Sequence, residues 1–191
     1  MKVGRFLGQG SAKRVHVSEY EGCEVAVLCG CSRAEMTLMR QLSSEYIVRM
    51  VARLSHDTIA TELAEHGSLL DLQDALEFEG KAISSDHITT MVLQVQLALN
   101  ELWNLGYVHD DVAERNVLVF RYGEDPANTL VKLGDLGEAR PCKNVQSDVE
   151  QLLQMNLRLR KEWEEHVHRQ EQTLQALPIL QIPPKQMSSA N

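Results

Sequence analysis

The stretch His109-Asp110-Asp111-Val112-Ala113-Glu114-Arg115-Asn116-Val117-Leu118-Val119, followed by Gly134-Asp135-Leu136-Gly137, decides how this chain is read. It supplies the acidic and amide groups that phosphoryl transfer needs, at a spacing that has a physical reason. Asp111 can accept a proton from an attacking hydroxyl. Asn116, five residues on, can hold one magnesium ion from the same loop, and Asp135 arrives from a separate strand end to hold the metal that bridges the phosphates. Between the two fragments, Val117–Arg121 is apolar and β-branched, residues 122–128 carry Gly123 and Pro126 as turn formers, and residues 129–133 are a second extended run. That pattern is a hairpin, and it brings Asn116 and Asp135 to the same end. Either fragment alone could be a helix cap or an Asx-turn. The two in this order, flanking a hairpin, point to a nucleotide-phosphate site.

At these residues the chain resembles the eukaryotic protein-kinase family, whose pattern is H-R-D-L-x-x-x-N and then D-F-G. The resemblance covers roughly residues 6–157. It implies an α+β, two-lobed fold with ATP and Mg2+ as cofactors, Asp111 as catalytic base, and Asn116 and Asp135 on the metal. Leu7-Gly8-Gln9-Gly10-Ser11-Ala12-Lys13-Arg14-Val15 is similar to the family's Gly-rich loop. Gly8 and Gly10 then bring backbone amides onto phosphate, and Leu7 and Val15 cover the base. Residues 24–28 match the V-A-I-K strand, which places Ala26 at the nucleotide and leaves Leu28 where the phosphate-binding lysine stands in the family. Thr61-Glu62-Leu63-Ala64 is similar to the gatekeeper and hinge. Thr61 is then the gatekeeper, backbone groups of Glu62 and Ala64 bond adenine, and Leu118 on the hairpin joins them as a cofactor contact.

Lys13 occupies the third glycine position of G-x-G-x-x-G, from which a lysine can reach the same phosphates from the opposite wall. In this the segment resembles the With-No-Lysine and protein O-mannose kinase families, whose lysine has moved to the Gly-rich strand. The plainer reading is a solvated strand lysine beside Arg14. Glu35 is the expected partner of Lys13, because residues 35–42 place Glu35, Met39 and Leu42 at i, i+4 and i+7 on one helix face.

Around these motifs, residues 46–54 and 58–63 read as strands joined by Ser55-His56-Asp57, and Gly67-Ser68 opens a helix. Residues 88–105 carry apolar side chains at helical spacing and stop at Gly106. Trp103 reads as a core or helix-end residue and His109 as a packed structural histidine. Asp110 replaces the family's arginine, which normally neutralises a phosphorylated activation segment. That segment is missing too, since only residues 141–146 separate Arg140 from Ser147-Asp148-Val149, which looks like the start of the family's central helix. Asp148 then anchors the catalytic-loop backbone, or is simply a carboxylate favoured by a helix N-terminus. Ala113-Glu114-Arg115-Asn116 is similar to the tyrosine-kinase version of the loop, with Arg115 near the substrate hydroxyl. Arg115 could equally offset Asp110, Asp111 and Glu114, three carboxylates expected to raise one another's pKa.

Composition bounds the remainder. A chain of 191 residues can bury one substantial core, and its net charge of −8 argues against a nucleic-acid partner. No basic membrane-binding stretch, transmembrane-length apolar run or signal peptide is read, so a cytoplasmic protein is expected. Cys23, Cys29, Cys31 and Cys142 lack metal-site spacing and read as reduced thiols. Residues 149–177, free of Gly and Pro, should be one long helix, strongly charged over 158–172. The expected organisation is a small antiparallel β N-lobe with hinge (1–64) and a reduced helical C-lobe without activation segment or late helices (65–157). A charged helix (158–177) and a flexible tail (178–191) follow. Three functions fit: an ATP-dependent protein-kinase-type phosphotransferase, a pseudokinase scaffold that binds nucleotide or a partner, and a small-molecule kinase. The protein substrate or partner is not identified by the sequence.

Overall fold

Alternating apolar side chains over residues 14–29 build the centre of an antiparallel sheet. The computed structural model describes residues 3–9 and 13–176. The strands are β1 (Val3–Gln9), β2 (Arg14–Tyr20), β3 (Cys23–Cys29), β4 (Met50–Arg53) and β5 (Thr58–Glu62), in the order β1-β2-β3-β5-β4. Register fixes what each face carries, because directly paired residues point the same way and side chains alternate along a strand. Gly8 pairs with Val15, Val15 with Leu28, Ala26 with Thr61 and Leu28 with Ile59, so these residues share one face. On that face Leu28 and Ile59 pack with Cys31 and with Met36 of helix α1 (Arg33–Met39). The opposite face buries Val25, Val27 and Ala60 against Tyr20, Ala52 and Leu54.

The second half is helical around a short hairpin. It comprises α2 (Leu69–Phe78), α3 (Ser85–Asn104), β6 (Tyr107–Val108), the hairpin β7 (Val117–Arg121) and β8 (Leu130–Leu133), β9 (Arg140–Pro141) and α4 (Gln146–Ala176). Ile88, Met91, Val95, Ala98, Leu99 and Leu102 of α3 recur at helical period and are fully buried against Val117, Val119 and Leu133 of the hairpin and Met155 and Leu159 of α4. Gly106, at φ +80, turns the chain out of α3 through a conformation that other L-residues rarely adopt. The result is the expected α+β arrangement, a small antiparallel sheet beside a reduced helical lobe.

Several expected boundaries move. The strand expected over 46–54 is only β4, because residues 46–48 pair across to the hairpin instead. Leu133 N–H donates to Tyr46 O at 2.8 Å and Val48 N–H to Leu133 O at 2.9 Å, which stitches the two halves together. The helix expected over 35–42 is α1, which starts earlier because the Ser32 hydroxyl caps it by accepting from Glu35 N–H at 3.1 Å. Its buried face is Glu35, Met36 and Leu38, while Met39 and Leu42 are only partly covered. β6 and β9 form an unforeseen two-stranded pair. Helix α4 begins three residues earlier than expected and runs unbroken through 31 residues, about 46 Å. The expected tail, 178–191, lies outside the described residues, as does Gly10. Among the described residues no helix is long and apolar enough to cross a membrane.

Candidate active site

Lys13 enters the cleft from just before β2 and joins two distant elements. Its Nζ donates to Glu35 Oε1 at 2.5 Å and also to Asp135 Oδ1. The Lys13 side chain is 12% exposed and that of Glu35 only 2%. Burial works against the ammonium charge, but the two carboxylates outweigh it and raise the Lys13 pKa above its ordinary value. Burial likewise pushes Asp135 up, and Lys13 more than reverses this, holding the carboxyl below its usual range. Asp135 sits in the left-handed region at φ 52, where its Oδ1 also accepts from Gly137 N–H at 3.2 Å. A Cβ at Gly137 would stand 3.0 Å from Lys13 Nζ, so the second glycine of G-D-L-G leaves room for the ammonium. Leu28 packs into the apolar cluster of Cys31, Met36 and Ile59, a poor place for an ammonium group. In that cluster burial pushes the Cys31 thiol up to about 12, and all four cysteines carry free thiols.

The loop from His109 to Asn116 hangs from α4. Asp148, fully buried, accepts from Trp103 Nε1–H at 2.8 Å, His109 N–H at 2.9 Å and Asp110 N–H at 2.8 Å. Gln151 accepts from Val112 N–H at 2.8 Å and donates to Asp110 O at 3.1 Å. His109 Nε2 lies 2.9 Å from Gly134 O and must donate there, which leaves Nδ1 to accept from Asp111 N–H at 3.3 Å. Burial lowers the His109 pKa, so the ring is a neutral structural link between loop and hairpin.

The mutual rise in pKa expected of the three loop carboxylates is not what Asp110 and Glu114 show, since both are lowered. Each has its own arginine: Asp110 takes Arg140 Nε at 2.8 Å, Asp111 takes Arg115, and Glu114 takes Arg158 at 2.7 and 3.0 Å. Arg140 holds Asp110 below the ordinary carboxylate range. Burial pushes Glu114 up, and the Arg158 bonds overcome it to leave a net lowering. Arg115 therefore lies on Asp111 itself. Asn116, buried, donates from Nδ2 to Asp111 O at 2.8 Å and to Asp111 Oδ2 at 2.7 Å. Its amide oxygen and Asp135 Oδ2 remain as hard oxygen donors among the described residues, a set that fits Mg2+.

Of the residues expected at the base, three lie on one sheet face. Val15, Ala26 and Thr61 share the sheet face that carries α1. His66 N–H donates to Val119 O at 3.1 Å and Val119 N–H to Gly67 O at 2.8 Å, so the segment after Ala64 lies along β7 beside Leu118. Leu7 on β1 is exposed. At Glu62, N–H donates to Arg49 O at 3.2 Å and Oε1 accepts from Arg49 N–H at 2.8 Å and Lys132 Nζ at 2.7 Å. Lys132 and Arg140, unforeseen from sequence, thus tie the hairpin to β5 and β9 to the loop. Their signal was the local excess of acids, each of which needed a cation. A separate cleft of about 620 Å³ between the end of α2 and α4 is lined by Glu77, Lys81, His166 and Arg169 and contains none of these residues.

A small sheet over a helical lobe, with a lysine–glutamate pair facing an acid loop and a D-x-G turn, defines the kinase-like class of fold. The profile of the protein tyrosine and serine/threonine kinase family matches residues 5–174, and this chain belongs to that family. Over 114 residues it is 34% identical to human protein-tyrosine kinase 6, covering 58% of this chain and 24% of that protein. Cell division control protein 2 homolog 2 of Trypanosoma brucei brucei is 28% identical over 106 residues, 56% of this chain and 29% of its own. The chain thus spans only about a quarter of the length of these relatives. Among solved structures, the Rad53 kinase domain, crystallised with SCD2 and AMPPNP, superposes with a TM-score of 0.56 at 21% identity, covering 71% of this chain and 50% of that one.

Proposed function

We propose that the chain is an ATP-dependent phosphotransferase of protein-kinase type, moving the γ-phosphoryl group to a hydroxyl. The observation that carries this reading is the placement of Lys13 Nζ on both Glu35 and Asp135. A lysine so held is charged at neutral pH and aimed by two carboxylates toward the place where phosphates would lie. On this reading residues 1–64 form the nucleotide-holding lobe and hinge. Gly8 turns its amide to the phosphates, Leu7, Val15, Ala26 and Leu118 enclose the base, and Thr61 closes the rear. The Glu62 carbonyl and the Ala64 N–H bond adenine. Asp111 accepts the proton of the acceptor hydroxyl, with Arg115 beside it. Asn116 and Asp135 would hold Mg2+, which would supply positive charge to offset that of the phosphates. Residues 65–157 form the reduced C-lobe, which the charged helix 158–177 extends. The AMPPNP carried by the Rad53 kinase domain supports a nucleotide in the corresponding cleft.

A second reading, a nucleotide-binding pseudokinase, is favoured by one observation. Both carboxylate oxygens of Asp111 already hold donors, from Arg115 and from Asn116. Turnover separates the two. With Mg-ATP, the phosphotransferase reading expects autophosphorylation or phosphate release together with a nucleotide-induced rise in Tm, both lost in Lys13→Met and in Asp135→Asn. A Tm rise without turnover supports the pseudokinase, and neither response sinks both readings.

A further inference from the structure

The catalytic-loop acids are unequally available. Asp110 is tied to Arg140 on β9 and Glu114 to Arg158 on α4, the latter through two nitrogens of one guanidinium. These partners come from other elements and leave each acid occupied. Asp111 is different, because its cation, Arg115, comes from its own loop four residues on. The Arg115 side chain is 59% exposed and uses Nη2 alone on Asp111, so its other N–H groups face solvent.

In this arrangement an acceptor hydroxyl meets a carboxylate whose two oxygens already take bonds from Arg115 and Asn116, so it has to compete with these donors for a place on Asp111. Arg115 can leave, since a half-exposed ion pair is weak and exchanges readily. It needs another anion to receive it, and the neighbouring Asp110 and Glu114 are both occupied. The anion has to arrive with the acceptor.

We propose that Arg115 selects acceptors that carry an anionic group, a carboxylate or a phosphate, close to the reacting hydroxyl, and that by engaging this group it releases Asp111. The proposal rests on the phosphotransferase reading. In the transfer, the bond from the γ-phosphorus to the β–γ bridging oxygen breaks and its electron pair leaves with ADP. The acceptor oxygen bonds the γ-phosphorus, and its proton passes to Asp111. Arg115 sets specificity by moving between Asp111 and the incoming anion, whose planar or tetrahedral oxygens suit a guanidinium fork.

The test measures kcat/KM of the full chain with Mg-ATP on matched acceptors. One arm uses peptides with a single tyrosine or serine flanked by Glu, Gln or Lys. A second arm uses glycerol 3-phosphate against glycerol, which separates peptide carboxylates from a small phosphate as the source of the anion. The expected result in at least one arm is an anionic acceptor favoured about tenfold over its neutral match, mostly through KM. That ratio falls toward one in Arg115→Gln and is partly kept in Arg115→Lys. Because Arg115 is exposed, both variants should keep the wild-type Tm, and the lysine variant guards against a folding artefact. Transfer that ignores acceptor charge in both arms, or a preference that survives Arg115→Gln, overturns this inference alone. Absence of transfer to every acceptor, with no autophosphorylation, overturns the phosphotransferase reading and the inference with it.

Discussion

Two groups of charged residues meet in the cleft, and they are held in opposite ways. The acid-rich loop is fixed by one rigid element, since Asp148, Gln151 and Arg158 project from one face of α4 and bond the loop from His109 to Glu114. The phosphate-side group draws Lys13, Glu35 and Asp135 from three separate elements, and the lysine ammonium bonds both acids. The loop is therefore preorganised by buried backbone hydrogen bonds, whereas the other group depends on one flexible side chain. Changes to the loop's support should appear first as lost folding stability. Changes at Lys13 should appear first as lost nucleotide response.

The strongest way to break this contrast is Asp148→Ala. It strands the Trp103, His109 and Asp110 donors around a fully buried carboxylate position. With about 1–3 kcal/mol for each orphaned buried group, partly relaxed, we expect a loss of about 3–5 kcal/mol in urea unfolding. A loss below about 1 kcal/mol would show that α4 does not hold the loop. Next in size is Lys13→Met, which leaves the buried Glu35 carboxylate without its cation. About 2–3 kcal/mol should be lost. Adding Glu35→Gln should recover part of it, because an uncharged amide needs no counter-ion. A double mutant no more stable than Lys13→Met would deny the pairing. Neither variant should show a nucleotide-induced rise in Tm.

The acid limb of stability tests the loop's histidine. His109 has a folded pKa below its ordinary value of about 6.5, so as pH falls through 6.5 the unfolded chain takes a proton that the native state refuses. Stability should fall by up to about 1.4 kcal/mol per pH unit between about pH 6.5 and 5. The lowered carboxyls of Asp110, Glu114 and Asp135 give stability that is present above their unfolded values of about 4 and is lost as pH falls through their folded ones, so they act only at lower pH. His109→Phe should flatten the upper slope while lowering the plateau. An unchanged slope would place the titrating group elsewhere.

What the sequence disclosed follows the same division. The hairpin was legible from alternation alone, whereas the position of Asp148 under the loop and the approach of Lys13 to Glu35 were legible through the resemblance to the kinase family, with a glutamate on a helix face as local support. The pairing of residues 46–48 with Leu133 was not, since an aliphatic run looks the same whether it pairs within its own sheet or across to another. Arg115 was legible as a cation for the loop acids, but the partners of Asp110 and Glu114 were not. Arg140 and Arg158 lie 30 and 44 residues from Asp110 and Glu114, and only the fold brings them near. Counting three acids in eight residues predicted repulsion, and two of the three arginines that offset it, Arg140 and Arg158, are non-local.

The finest probe of the contrast is Arg158→Ala. The side chain is half exposed and binds Glu114 through two nitrogens, so solvent screening should keep its contribution to stability below about 1 kcal/mol. Its effect should be mainly local. Burial already pushes the Glu114 carboxyl up, and without Arg158 that push acts with less opposition, so the Glu114 pKa should rise. Freed Glu114 is also a new anion within reach of Arg115, whose charge already acts on it, so the variant offers Arg115 an alternative to Asp111 inside the loop. If the loop is as rigid as Asp148 and Gln151 make it, Arg158→Ala should leave its backbone amide exchange unchanged while raising transfer to neutral acceptors. Faster exchange at His109 to Val112 would mean instead that the Arg158–Glu114 pair supports the loop's fold, and that α4 holds it by charge as much as by hydrogen bonds.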